Sequence, residues 1–277
     1  MTLFEGIILG LVQGLAEFLP ISSSGHLAIL QHLFGIEGES VLSFAVLLHL
    51  GTLFSLLAVY YKDIWELIIE LCLTFKDILT GKGLRINANE TRRLGFMIIT
   101  ATVPTAIIGL LFNDFFSDLY NSMAAVGFCL LITGVLLWIV ERMRQTGKNI
   151  REMKFGDALL VGLFQSIAIA PGISRSGATI SGSLFSGLNR ALAIKFAFLI
   201  SVPSILGAII LEAPAAFEEG MDTSLLLPII SGVVVAAVSG FIAIKTMIRV
   251  VSDKKLYIFS IYTWIVGALV LIYSFIS

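Results

Sequence analysis

Five stretches of this chain run for 20 to 22 residues without a charged side chain: 40–61, 94–113, 119–140, 223–244 and 256–277. A sixth, 191–211, is interrupted only by Lys195 near its start. About 20 apolar residues in an α-helix cross the ~30 Å hydrocarbon core of a bilayer. Composition agrees, since 57% of the residues are hydrophobic and only 13% charged, against about 25% charged in a soluble domain. With a mean hydropathy of +0.99, an ordinary cytosolic enzyme and a disordered regulator are excluded. A formal net charge of −1 excludes the basic surface that nucleic acid requires, so no nucleic-acid partner is expected. The fold class is an all-α polytopic membrane protein, whose helices satisfy their own backbone polar groups in lipid.

Two further regions, 4–34 and 155–188, are apolar but broken near their centres. The first contains Leu19-Pro20-Ile21-Ser22-Ser23-Ser24-Gly25-His26, the second Ala170-Pro171-Gly172-Ile173-Ser174-Arg175-Ser176-Gly177. Limbs of about 11–16 residues reach only ~16–24 Å, short of the hydrocarbon thickness. Irregular backbone is tolerated at that depth when it is buried in protein. Six transmembrane helices plus two re-entrant helical hairpins are therefore expected, with both hairpin tips near the midplane.

Charge placement tests the count. If each hairpin returns to its own side, loops 62–93, 141–154 and 245–255 face inward, with 6, 5 and 4 Lys/Arg, and hold 15 of the 18 cations. Arg190 and Lys195 lie at the inner start of a span, and Arg175 lies in a hairpin. Loops 113–118 and 212–222 face outward and carry only acids: Asp114, Asp118, Glu212, Glu218, Glu219 and Asp222. Both termini are then expected outside. No cleavable signal peptide is expected, because a basic leader segment is missing and the first Lys is Lys62. Residues Trp65 to Leu71 form either an interfacial amphipathic helix or an extension of the first span. Tyr60, Tyr61, Trp65 and Trp138 sit at expected span ends, as aromatic belts do. Cys72 and Cys129 are isolated, so neither a disulfide nor a cysteine metal site is expected.

The hairpins match each other at a constant offset. Gly10-Leu11-Val12-Gln13 aligns with Gly162-Leu163-Phe164-Gln165, and Ile21-Ser22-Ser23-Ser24-Gly25 with Ile173-Ser174-Arg175-Ser176-Gly177. Phe44-Ala45 falls on Phe196-Ala197 at the same offset. The chain thus reads as a single integral membrane domain of two repeats, 1–141 and 155–277. Each is a hairpin followed by three spans, and an odd number of spans inverts the second repeat. Inverted repeats with broken helices set a site at the midplane between the halves.

Charge inside a bilayer is costly and marks function by default. Glu17 and Arg175, of opposite sign, lie at hairpin depth. They are either a structural ion pair or part of a site. Each tip starts a helix with a Ser/Gly cluster, and helix N-termini offer free N–H groups and a positive dipole end to anions. Ser22, Ser23, Ser24, Gly25, Ser174, Ser176, Gly177 and Thr179 can cradle phosphate oxygens, and the fork of Arg175 suits a phosphate group. Gln13 and Glu17 share a helix face as an i, i+4 pair. Glu17 can hold a divalent ion or act as a base. His26 can shuttle a proton or attack as a nucleophile. His32 and His49 lack such company and are read as structural.

The run Gln13-Gly14-Leu15-Ala16-Glu17-Phe18-Leu19-Pro20-Ile21-Ser22-Ser23-Ser24-Gly25-His26 resembles the (E/Q)xxxE…PxSS(S/T)GH signature of bacterial undecaprenyl-diphosphate phosphatases, the bacitracin-resistance protein family. Pro171-Gly172-Ile173-Ser174-Arg175-Ser176-Gly177-Ala178-Thr179 matches that family's PGxSRSxxT signature at every fixed position. Gln13 stands where the family often has Glu, which removes one carboxylate. The resemblance covers essentially the whole chain. It implies an enzyme of the bacterial plasma membrane that hydrolyses undecaprenyl diphosphate to undecaprenyl phosphate and inorganic phosphate, recycling the carrier for cell-wall synthesis and conferring bacitracin resistance. It implies a divalent cation, Mg²⁺ or Ca²⁺, on Glu17 with help from Gln13, with Arg175 clamping the diphosphate. Ser23, His26 and a metal-activated water remain alternative sources of the nucleophile. The expected partners are the polyprenyl diphosphate and the lipid bilayer; a homodimer is one assembly open to the chain. The competing class is a polyprenyl-phosphate flippase or transporter, since those also use inverted repeats. An ion channel fits poorly with opposite charges in one pore.

Overall fold

Backbone N–H and C=O groups in hydrocarbon must pair within the chain, and the described residues do so with eleven α-helices and no β-strand. The computed structural model describes residues 2–35, 39–143, 146–218 and 226–276, and among these the side chains of all but 39–46 and 211–218. The helices are α1 (Leu3–Phe18), α2 (Ser23–Phe34), α3 (Glu39–Leu79), α4 (Glu90–Leu111), α5 (Asn113–Tyr120), α6 (Met123–Arg142), α7 (Phe155–Ile167), α8 (Arg175–Phe185), α9 (Arg190–Glu218), α10 (Leu226–Ser252) and α11 (Tyr257–Ile276).

Five of these, α4, α6, α9, α10 and α11, contain segments long and apolar enough to cross a membrane. The expected span at 40–61 falls inside α3, which has 41 residues. At about 1.5 Å per residue α3 is roughly twice as long as the hydrocarbon is thick. Its backbone leaves helical geometry at Tyr60 (φ −107°, ψ 22°), next to Lys62, where the charge-free run ends. The segment from Trp65 to Leu71 is helical and follows the kink at Tyr60, a geometry that both expected readings share. This part of α3 is tied to α4, because Arg92 bonds Glu70 at 2.8 Å and Asp77 at 2.7 Å. Loop 113–118 is largely helical and belongs to α5. Loop 212–222, expected to face outward, is helical as far as Glu218; residues 219–222, the start of the span expected at 223 and the side chains of Glu212, Phe44 and Ala45 lie outside the described set.

The four helices of the two broken regions, α1, α2, α7 and α8, have 16, 12, 13 and 11 residues, and each pair closes on itself, α1 on α2 and α7 on α8. Their boundaries follow local chemistry. Thr2 and Glu5 form a capping box at the start of α1, Gly35 ends α2 in the left-handed conformation at φ 63°, and Ser22 and Ser174 cap α2 and α8. The first limbs cross over in their packing: α1 rests on α10, and α7 rests on α4. Small residues permit this close approach. A Cβ at Gly10 would stand 2.3 Å from the Gly232 carbonyl oxygen, and one at Gly162 would stand 2.3 Å from that of Ala101. The remaining long contacts join α3 to α9 and α10, and α6 to α11. The apolar core lies between these helices around Phe18, Leu56, Phe196 and Phe198. It borders the point where the two hairpin tips meet.

Candidate functional site

Both tips are built on the same local device. At each, a serine outside the helix accepts a hydrogen bond from the backbone N–H three residues on: Gly25 to Ser22 at 3.2 Å, and Gly177 to Ser174 at 3.1 Å. A second serine leans on the first, Ser24 on Ser22 at 3.3 Å and Ser176 on Ser174 at 3.2 Å. Capping uses one orphan N–H of each first turn and leaves others available. The tips also pack on each other. A Cβ at Gly25 would meet the Gly172 Cα at 3.0 Å, and one at Gly177 would meet the Pro20 Cβ at 3.2 Å. Ser176 donates to the carbonyl of Leu19 at 3.3 Å, which ties the second tip to the first. The turns differ in one respect. Ser22 has φ 72°, a conformation unfavourable for any residue with a Cβ, whereas Ser174 has φ −72°.

Glu17, at the end of α1, is 5% exposed and is the hub of the cluster. Gln13 Nε2 donates to Glu17 Oε2 at 3.1 Å, and Ser23 Oγ donates to the same oxygen at 2.6 Å. Arg175 Nη1 stands 3.2 Å from Glu17 Oε1. That Nη1 lacks hydrogen-bond alignment with any acceptor, so the contact is one of charge and the donor remains unused. Two opposite charges at that distance in a low-dielectric setting offset much of the cost of burying either. Gln13 Oε1, fully buried, has no hydrogen-bond partner.

Glu17, Gln13, Ser23 and Arg175 are therefore in one cluster. Ser22, Ser24, Gly25, Ser174, Ser176 and Gly177 form the two turns beside it. Thr179 is one turn further into α8, where its hydroxyl bonds back to the Arg175 carbonyl at 2.8 Å. His26 sits beside the turn and makes no hydrogen bond or ion pair with Glu17. Its Nδ1 bonds the Ser22 carbonyl at 2.8 Å and its Nε2 the Tyr262 hydroxyl at 2.8 Å. The Tyr262 ring stacks on the imidazole, with centroids 5.6 Å apart. Because a carbonyl only accepts, Nδ1 carries the proton. His49, read from sequence as structural, instead lies at the cluster, its Nε2 3.7 Å from Glu17 Oε2. The signal that could have found it was present: it is an ionisable residue within a charge-free run. Nothing in sequence pointed to Tyr262. His32 stays away from the cluster, with Nε2 3.2 Å from the Tyr273 hydroxyl.

Among the described residues no three His, Cys, Asp or Glu side chains gather to hold a metal. The oxygens at hand are Glu17 and the unpartnered Gln13 Oε1. One carboxylate and a carbonyl-type oxygen fit a hard divalent cation whose shell is completed by substrate phosphates, as Mg²⁺ is usually held.

The sequence is similar to proteins of known name over its full extent. A chain called undecaprenyl-diphosphatase from Alkaliphilus metalliredigens is 52% identical over 274 residues, covering 99% of each chain. Chains with the same name from Carboxydothermus hydrogenoformans and Halothermothrix orenii are 44% and 42% identical. These alignments cover 98% of this chain and 97% and 98% of the relatives. The family model described as bacitracin resistance protein BacA matches residues 6–269, a span that includes both hairpin tips and Tyr262. The chain belongs to the BacA family of bacitracin resistance proteins.

Proposed function

We propose that this protein hydrolyses undecaprenyl diphosphate to undecaprenyl phosphate and inorganic phosphate in the bacterial plasma membrane. The observation that carries the reading is the meeting of Glu17, Ser23 and an unused Arg175 donor between two serine-capped helix N-termini. The undecaprenyl-diphosphatase name of full-length relatives supports the same substrate. Such an activity returns the lipid carrier to cell-wall synthesis and relieves the sequestration of its diphosphate by bacitracin.

The architecture belonging to this reading has six spans and two re-entrant hairpins, in two inverted repeats, with both termini on the outer face. Its support is reciprocal. Gly10 and Gly162, equivalent by the sequence offset, each press on a helix of the other half. Gly25 touches Gly172 while Gly177 touches Pro20, and these four positions exchange under the same offset. Ser23 and Arg175 are also offset equivalents, so one site is shared by both repeats at their pseudo-twofold axis. The prenyl tail remains among the apolar helices.

Ser23 attacks the terminal phosphorus and passes its proton to Glu17, with which it already shares a 2.6 Å hydrogen bond. A Ser23 Oγ–P bond forms, the bond from phosphorus to the bridging oxygen breaks, and undecaprenyl phosphate leaves, its bridging oxygen taking the proton from Glu17. Glu17, ionised again, takes a proton from the water that attacks the phosphoserine; the Oγ–P bond breaks, orthophosphate leaves, and that proton returns to Ser23 Oγ. Arg175 and the free N–H groups of α8 hold the oxygens on which charge develops. His26 supports chemistry indirectly, because its Nδ1–H grips the carbonyl of the left-handed Ser22 and so aims Ser23. A divalent cation held by Glu17 and Gln13, Mg²⁺ or Ca²⁺, would neutralise phosphate charge when bound.

The test is orthophosphate release from undecaprenyl diphosphate by purified protein in detergent, with and without chelator. Turnover in micelles that falls with chelator is the expected result. Lipid movement in sealed vesicles with no phosphate release would replace this reading with a flippase.

A further inference from the structure

We propose that the groove between the end of α6 and the start of α11 is a binding site for an anionic phospholipid of the leaflet beside the basic loops. The groove has a volume of about 530 Å³ and is lined by Trp138, Glu141, Arg142, Lys254, Tyr257 and Ile261. It is separate from the Glu17 cluster, and it does not depend on the phosphatase reading.

The charge balance of the groove is positive. Its one acid, Glu141, is already engaged: Arg190 bonds Oε1 at 3.2 Å and the Leu256 N–H bonds Oε2 at 3.2 Å. Arg142 and Lys254 meet no carboxylate among the described residues. The Arg142 guanidinium carbon lies over the Trp138 ring, 3.2 Å from its centroid, and its Nη1 donates to the Trp138 carbonyl at 3.3 Å, which together fix the position of the cation. Trp138 is itself braced by Trp264, whose ring lies 5.3 Å away and whose Nε1 bonds the Leu131 carbonyl at 3.2 Å. Lys254 sits at φ 59° in the turn between α10 and α11. The site therefore offers two cations without a carboxylate partner among the described residues, Arg142 held on an aromatic floor and Lys254 beside it.

The occupant must also be amphipathic. Below the two cations, Tyr257, Ile261, Ile265 and Leu269 recur every fourth residue along α11, and all are 42–62% exposed. This apolar stripe starts in the groove and runs along the helix away from the cations, as an acyl chain would. Aromatic rings at the membrane boundary and basic pockets between spanning helices together suit a phosphate headgroup. Free phosphate would have no use for the stripe, and a zwitterionic lipid would bring its own cation to a positive groove.

Native mass spectrometry of the purified full chain tests this with phosphatidylglycerol, phosphatidylcholine and inorganic phosphate as separate probes. Phosphatidylglycerol should be retained over phosphatidylcholine, and Arg142→Gln with Lys254→Gln should lower that retention about thirtyfold. The exposed pair Lys76→Gln and Lys82→Gln should leave it unchanged. Equal retention of the two lipids, equal loss in the second pair, or displacement of the lipid by millimolar phosphate would each overturn the assignment. An independent arm needs no charge variant. Brominated phosphatidylglycerol should quench tryptophan fluorescence more than brominated phosphatidylcholine, and replacing both adjacent rings, Trp138→Phe with Trp264→Phe, should remove the difference. A difference that survives the double replacement places the lipid elsewhere and contradicts the proposal.

Discussion

The contact between α1 and α10 converts one methyl group into a measurable loss of activity. A Cβ on Gly10 would stand 2.3 Å from the Gly232 oxygen and 2.7 Å from its Cα. Both neighbours are backbone, so no flexible side chain can move aside. Restoring ordinary contact requires α1 to retreat by about 1 Å, and overpacking of that kind costs roughly 1–3 kcal/mol. Gln13 and Glu17 ride on α1, and the bond from Ser23 to Glu17 is only 2.6 Å long. A shift of about 1 Å at reacting groups lowers turnover on the order of 100-fold. Gly207→Ala is the matched control, because a Cβ there meets nothing within 4 Å, and the better helix propensity of alanine contributes up to about 1 kcal/mol. Phosphate release and detergent melting curves on both variants provide the comparison. Gly10→Ala should lose activity and melt earlier, while Gly207→Ala should keep both. Gly10→Ala with wild-type turnover would refute the argument that the α1–α10 seam sets the position of Glu17.

Four further outcomes are expected. Glu17→Gln should abolish turnover and with it the chelator sensitivity; retained turnover demotes Glu17 to a structural ion-pair partner. Ser23→Ala should lose at least about 1000-fold, whereas His26→Gln should lose about 10–100-fold because it acts through Ser22; the reverse order removes the serine nucleophile. Tyr262→Phe keeps the stacked ring but not the bond to His26 Nε2, and should lower kcat about tenfold at constant KM; a change confined to KM would tie Tyr262 to substrate instead. The hydrogen bond from Arg92 holds the Asp77 carboxyl below the usual carboxylate range. Its stabilising contribution is therefore present at neutral pH and is lost as pH falls below about 4 through the folded value. The melting midpoint should drop over that acid range, and Asp77→Asn should flatten the drop.

The short helices were legible because their breaks are chemical. Pro20 and Pro171 cannot continue a helix, and Ser22 and Ser174 can cap the next one. The offset repeat also pointed to Glu17 and Arg175 as a pair, and they lie 3.2 Å apart. What was illegible depends on distance in sequence. His49 reaches Glu17 from α3 and Tyr262 reaches His26 from α11, 236 residues away; an ionisable residue in a charge-free run marked His49 as a candidate, but no local pattern encodes which partner either residue meets. The left-handed Ser22 was hidden for a different reason: a serine gives no sign of φ 72°, which packing of the tip and the two bonds from His26 to the Ser22 carbonyl impose. The extent of α3 was ambiguous because an interfacial helix and a spanning-helix extension share one amphipathic pattern.

The central claim is that one diphosphate site is assembled from the tips of both hairpins, with Arg175 of the second acting on the phosphate beside Glu17 and Ser23 of the first. Orthophosphate release by Arg175→Lys in detergent tests it most directly. An ammonium keeps the charge near Glu17 but cannot reproduce the planar fork. The account predicts a folded protein with turnover reduced about 100-fold or more. Turnover near that of the wild-type chain would contradict it and leave Arg175 as no more than the counter-ion of Glu17.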